Sequence, residues 1–221
     1  LTVHSIERHY PDLDSKDPVA LFDAVADRQA DLVARWQSIG FVHGVMNTDN
    51  TLLSGETIDY GPCAFMNEYD PDTVFSSIDR HGRYAYKNQP SIAHWNLQRF
   101  AGALMKIAGE GSEIESELET ILADFMDRYR EVYNEKMANK LGLREFRSGD
   151  EQLLDDFFDL LGEHDVDFTL AFRRLTERAR PDSNFEDRTV GEFFTLPENF
   201  DSWLERWRER LHQQDRSTRE I

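Results

Sequence analysis

The stretch His43-Gly-Val-Met-Asn-Thr-Asp-Asn50, with Asp59-Tyr-Gly61 beginning nine residues after Asn50, decides how this chain is read. Between its two parts, Thr51-Leu-Leu53 and Thr57-Ile58 are short candidate strands separated by Ser54-Gly55. That pattern predicts a short hairpin with a tight turn at Ser54-Gly55. A hairpin this short brings its two ends together, and the ends carry Asn50 and Asp59. Carboxylate and carboxamide oxygens suit a hard divalent cation such as Mg2+ or Mn2+. Asn50 and Asp59 are therefore the candidate metal and nucleotide ligands.

Protein kinases divide the same work between a loop asparagine and the aspartate of an Asp-Phe-Gly turn. Their loop sets the asparagine seven residues after a histidine, and His43 to Asn50 keeps that interval. The position two after the histidine, where a kinase has its catalytic aspartate, is Val45. Asp49 is the only carboxylate in the loop, directly before Asn50. Either the chain is inert or Asp49 takes the role of base from a shifted position.

Several further blocks occur in one order: Thr57-Ile-Asp-Tyr-Gly-Pro-Cys-Ala-Phe-Met66, Gly82-Arg-Tyr-Ala-Tyr86, Asn88-Gln-Pro90 and Trp95-Asn-Leu97. With His43 to Asn50 they resemble the selenoprotein O family, also called YdiU. Its members are kinase-fold protein adenylyltransferases once classed as pseudokinases. Ile6-Glu-Arg-His-Tyr10 and Asp167-Phe-Thr-Leu-Ala-Phe-Arg-Arg174 fit the same family. The resemblance covers most of the chain and is densest from residue 6 to residue 104.

The resemblance implies Asp49 as catalytic base and Asn50 with Asp59 as the metal-binding pair. It implies transfer of AMP from ATP to a Ser, Thr or Tyr hydroxyl of a protein, with release of pyrophosphate. ATP in this family lies flipped relative to kinases, which presents the α-phosphorus to the acceptor. The demands are positioning, neutralisation of phosphate charge by a metal, and a base for the hydroxyl proton.

A complete kinase-like enzyme also needs a Gly-rich loop, a strand lysine and a helix glutamate. Only 42 residues precede His43, with no Gly-x-Gly-x-x-Gly pattern among them and Lys16 as the first lysine. The family's phosphate-gripping lysine and arginines belong to an amino-terminal lobe. The expected fold is therefore mainly α: residues 1–221 as a single kinase-like carboxy-terminal lobe, with a short β-hairpin between catalytic loop and Asp-Tyr-Gly turn. The amino-terminal lobe is expected to be absent and the chain cut at both ends, so that it is inactive alone. The carboxy-terminal segment in which some members of the family carry selenocysteine is likewise expected to be absent.

A chain of 221 residues is long enough to bury one sizeable core. Its net charge of −18 disfavours a nucleic-acid backbone as partner. No apolar run approaches the roughly 20 residues of a membrane span, and no signal-peptide pattern opens the sequence. The expected location is cytoplasmic, or mitochondrial in a eukaryote. A single cysteine, Cys63, rules out an internal disulfide framework and reads as a packed small residue.

Helical signals dominate the remainder. Asp17-Pro18 starts a helix whose apolar positions Val19, Phe22, Ala26, Ala30, Val33 and Trp36 run toward Gly40. Residues 67–89 lack regular signals and correspond to an activation segment. From Pro90, the residues Ile92, Trp95, Leu97, Phe100, Ala101, Leu104 and Ile107 are expected to face a core. Ser112 with Glu115 reads as a capping box for a third helix, which carries Leu118, Ile121, Leu122, Phe125, Tyr129, Val132 and Met137 and ends at Gly142. Two shorter helices are expected over 150–161 and 167–179, a loop-rich interval over 181–197, and a closing helix over 200–213.

Other candidates read as structural. His43 and Asn47 are expected to support the loop, and Arg83 to pair with buried carboxylates of the activation segment, the alternative being that Arg83 and Tyr84 face the acceptor. Trp95, Asn96 and Arg99 read as packing and anchoring. Asp150, Glu151, Asp155 and Asp156 read as a solvated helix face. Two alternatives to the adenylyltransferase stand: an inert kinase-like scaffold for protein interaction, and a helical metallohydrolase using His43, His81 and His94. The second lacks close ligand spacing of the His-Glu-x-x-His kind.

Overall fold

The structure, a computed structural model, describes residues 1–14, 16–108, 114–179, 189–190, 194–195 and 200–214. Among these the chain is mainly helical, as expected. The helices are α1 (Thr2–His9), α2 (Pro18–Ser38), α3 (Gln89–Ala108), α4 (Ile114–Lys140), α5 (Asp150–Glu163), α6 (Phe168–Arg178) and α7 (Phe200–His212). The strands are two residues each: β1 (Phe41–Val42) and β2 (Ala64–Phe65) make one small sheet. An antiparallel pair, β3 (Thr189–Val190) with β4 (Phe194–Thr195), makes the other. This second pair falls in the interval expected to be loop-rich, whose other residues all lie outside the described ones. The chain divides into two compact units, Leu1–Gln37, Phe41–Ala64 and Asp72–Tyr133 in the first, Ser38–Gly40, Phe65–Pro71 and Asn134–Ile221 in the second.

In the first unit, Asp17 caps α2. Its carboxylate accepts the amides of Val19 at 2.9 Å and Ala20 at 3.0 Å, while Pro18 occupies the position where a helix needs no N–H. Phe22, Ala26, Ala30, Val33 and Trp36 are all buried, as their spacing predicts. On α3, Ile92, Leu97, Ala101 and Leu104 are buried, but Trp95 is 37% and Ile107 65% exposed. Trp95 stands two residues from Leu97, about 200° round the helix, so it cannot share that stripe. Ile107 lies in the last turn, beyond the core. The early α1 was not anticipated. It is short and polar, and it is held by the buried Ile6 and by Tyr10, whose hydroxyl donates to the Leu53 carbonyl at 2.5 Å. Ser112 of the expected capping box lies outside the described residues.

In the second unit, Gly142 ends α4 with φ of 73°. Its amide bonds the Asn139 carbonyl, and the next amide, of Leu143, reaches back to Ala138 at 2.7 Å. This pair of bonds is the Schellman closure that favours glycine. Asp167 caps α6 by accepting the Leu170 amide at 2.8 Å. The core is aromatic: Phe157 and Trp203 pack at 4.7 Å, and Trp203 stacks on Trp207. Both indole N–H groups are satisfied by carbonyls, of Leu153 at 2.7 Å and Leu141 at 2.9 Å. Asp150 corrects an expectation. It is buried rather than solvated, and Arg210 donates to both of its carboxylate oxygens, at 2.8 and 2.9 Å. Its partner stands 60 residues away, so no local pattern announced it. Asp155 remains exposed, and Asp156 meets Arg206 at 2.6 Å.

Candidate active site

The expected hairpin is cut back to a tight turn: neither 51–53 nor 57–58 forms a strand, and a single bridge joins the two arms. Thr51 and Thr57 make one antiparallel bridge. The Leu52 amide donates to the Glu56 carbonyl at 3.0 Å, and Gly55 closes the turn onto Leu52 at 3.1 Å with φ of 80°. The Ile58 amide donates to the Asn50 carbonyl at 3.2 Å. Thr57 completes the closure. Its hydroxyl lies 2.9 Å from the Asn50 carbonyl oxygen and 3.4 Å from that of Asp59. The backbones of Asn50 and Asp59 thus meet at the open end of one short hairpin.

His43 sits behind this closure and is buried. The Val45 amide donates to its Nδ1 at 3.3 Å, so Nε2 carries the proton of the neutral ring and donates to Thr57 Oγ1 at 2.7 Å. Burial pulls the imidazole below its ordinary value of 6.5, with the Asp59 charge and carbonyl opposing in part. A neutral histidine spent on a threonine hydroxyl is a brace, in line with the structural reading. Two residues on one face of α3 brace the loop further, seven positions apart, which is two helical turns. Buried Gln89 accepts the His43 amide and donates to the Phe41 carbonyl, both at 2.9 Å. Asn96 donates to the Met46 carbonyl at 3.1 Å and to Thr51 Oγ1 at 2.9 Å. Thr57 and Gln89 escaped the sequence reading. The position of Thr57 opposite Asn50 in a hairpin, and the spacing of Gln89 from Asn96, were the available signals.

Asp49 lies in the 3-10 turn Thr48–Asn50 and is exposed, as is Asp59. Asn50 is half-buried, and its amide nitrogen donates to the Val45 carbonyl at 2.9 Å. That bond turns the amide, leaving its oxygen with no donor among the described residues. Asp59 makes no ion pair among them. Asn47 accepts the Tyr84 hydroxyl at 2.5 Å and so ties the loop to residues 79–84. Cys63 is half-buried, its thiol 3.5 Å from the Tyr60 carbonyl, in keeping with a packed residue.

One expectation and one alternative fail here. Arg83 pairs with no carboxylate among the described residues. Its guanidinium lies over the rings of Trp95 at 4.7 Å and Tyr84 at 5.7 Å. The histidine metallohydrolase fails as well. His43 is committed to Thr57, and His94 Nε2 lies 3.1 Å from the Leu122 carbonyl while the ring stacks on Phe125. Among the described residues no group of three or more His, Cys, Asp or Glu side chains could hold a metal. No described helix is long and apolar enough to cross a membrane.

The chain matches the family described as protein adenylyltransferase SelO over residues 1–221. It is 47% identical over 225 residues to the protein nucleotidyltransferase YdiU of Rhodopseudomonas palustris (strain TIE-1), covering 100% of this chain and 45% of that protein. It is 49% identical over 223 residues to the protein of the same name from Bradyrhizobium diazoefficiens, again covering 100% and 45%. The counterpart from Methylorubrum populi is 48% identical over 221 residues, 97% of this chain and 44% of that one. The chain thus spans somewhat less than half the length of these relatives.

Proposed function

The chain belongs to the SelO protein adenylyltransferase family, and on that premise we propose that the full-length protein transfers AMP from ATP to Ser, Thr or Tyr hydroxyls of other proteins. Residues 1–221 act as a kinase-like carboxy-terminal lobe that supplies the base and the metal ligands. Asp49 accepts the proton of the acceptor hydroxyl. The hydroxyl oxygen attacks the α-phosphorus, the bond from that phosphorus to the oxygen bridging to the β-phosphorus breaks, and pyrophosphate leaves with the electron pair. General-base assistance of this kind contributes roughly 10²–10⁴-fold.

The observation that carries this reading is the hairpin closure, which brings Asn50 and Asp59 to one end, one residue from an exposed carboxylate. The donor set fits Mg2+ or Mn2+. One carboxylate and one amide oxygen, the latter freed by the bond from Asn50 to Val45, are hard ligands too few for a protein-only cage. Such ions take their remaining ligands from substrate phosphates and water. A bound divalent ion would supply neutralisation of phosphate charge. Half a nucleotide cleft binds weakly, so these 221 residues alone are expected to be inactive.

The test incubates the full-length protein with ATP labelled on the α-phosphate and, separately, on the γ-phosphate. Label should enter protein from the α position only, and Asp49→Ala should reduce it at least about 100-fold. Label from γ would mean phosphorylation. No label from either position would leave the inert scaffold.

A further inference from the structure

Beside the hairpin the first unit holds a cleft of about 690 Å³ that the transfer step does not use. Val45 and Asn47 of the catalytic loop line one part, and Ile78, Arg80, His81 and Arg83 line another. These four are exposed, Ile78 to 82%. Neither Arg80 nor Arg83 forms an ion pair among the described residues. Arg83 is instead steadied over the Trp95 ring at 4.7 Å, which fixes its position without cancelling its charge. Asp79 is the one acid among the described lining residues. Its two carboxylate oxygens accept the amides of Arg83 at 2.9 Å and Tyr84 at 2.8 Å, so it is occupied in shaping the turn.

This concavity reverses the character of the chain locally. The chain carries −18 overall with histidine neutral, yet two arginines against the single Asp79 line this cleft, with an exposed isoleucine beside them. Charges are screened over about 8 Å at physiological ionic strength. A segment lying in the cleft therefore feels chiefly the groups that line it, two arginines against one aspartate. The cleft also adjoins the chemistry. Asn47, tied to Tyr84, is two residues from Asp49, no more than about 7.6 Å along the Cα trace. An extended peptide advances about 3.3 Å per residue, so the cleft begins two or three residues from a hydroxyl held at Asp49.

We infer that this cleft docks the acceptor protein and selects a Ser, Thr or Tyr with Asp or Glu two to four residues away and an apolar side chain against Ile78. The inference rests on the adenylyl-transfer reading and names the substrate class of that same site. Arg80 and Arg83 are its specificity determinants.

The test uses the full-length protein with Mg2+, ATP labelled on the α-phosphate, and synthetic peptides holding one acceptor hydroxyl flanked by Glu, Ala or Lys. Glu-flanked peptides should be labelled with kcat/KM at least about fivefold above Ala-flanked ones, mainly through KM, and Lys-flanked peptides should be poorest. The double charge reversal Arg80→Glu, Arg83→Glu should exchange the order of the Glu and Lys peptides, which a loss of folding would not do. Equal labelling across the three flanks, or an order that survives the reversal, overturns the docking inference and leaves adenylyl transfer standing. Absence of α-label from peptides and proteins alike overturns both.

Discussion

His43 illustrates how a side chain can be legible in place and in its supporting role while its partner stays hidden. Its interval to Asn50 was readable, but its partner Thr57 required the hairpin to close. Its folded-state pKa lies below the ordinary 6.5 because burial disfavours the imidazolium. Above 6.5 the ring is neutral in folded and unfolded chains alike, and its contribution to stability is complete. As pH falls below 6.5 toward the lowered value, the unfolded chain takes up the proton first and that contribution is lost. Urea denaturation should therefore show a midpoint that drops between pH 7 and pH 5, and His43→Asn should flatten this drop. At pH 7 the same substitution should cost about 1–3 kcal/mol, since the Thr57 hydroxyl or the Val45 amide is left without its partner. An unchanged pH slope in the variant would remove His43 from the account.

Among the elements, the hairpin and the long helices followed from local signals: Ser54-Gly55 for the turn, Asp17-Pro18 for the start of α2, Gly142 for the end of α4. What local signals could not carry was long-range pairing. Asp150 looked like part of an acidic face because nothing within a helical turn identifies Arg210 as its partner. Trp95 was placed with the core-facing positions of its helix, whereas it stands off that stripe, with the guanidinium groups of Arg83 and Arg99 against its ring. Removing one member of the buried pair, as in Asp150→Ala, should cost about 3–5 kcal/mol in chemical denaturation. The apolar double replacement Asp150→Leu, Arg210→Met should cost less than either single change, because no charge is then left alone. The loop between hairpin and β2 depends on Gly44, whose φ is 83° and whose missing Cβ would fall 2.7 Å from the Pro62 carbonyl oxygen. Gly44→Ala should destabilise the protein by about 1–2 kcal/mol. It should also lower α-label transfer in the full-length protein by more than that loss of folded fraction explains, since Pro62 follows Asp59-Tyr-Gly61 directly.

For the whole molecule, the family and the mainly helical architecture were readable because many short blocks recur in one order across the chain, and the match over residues 1–221 bears that out. The proposed site was legible as residue types alone, Asp49, Asn50 and Asp59 in a loop and a turn. The supports from α3 were not, because Gln89 and Asn96 act across nearly 50 residues of sequence. The central claim is that Asn50 and Asp59 hold one ion together with the nucleotide. The most direct measurement is Mn2+ binding followed by electron paramagnetic resonance, on the full-length protein with ATP, for the parent, Asn50→Ala, Asp59→Ala and the double variant. A shared ion predicts that each single change weakens Mn2+ binding at least about tenfold and that the double change costs much less than the product of the two. Parent-like Mn2+ affinity in either single variant, or losses that simply multiply, would contradict it.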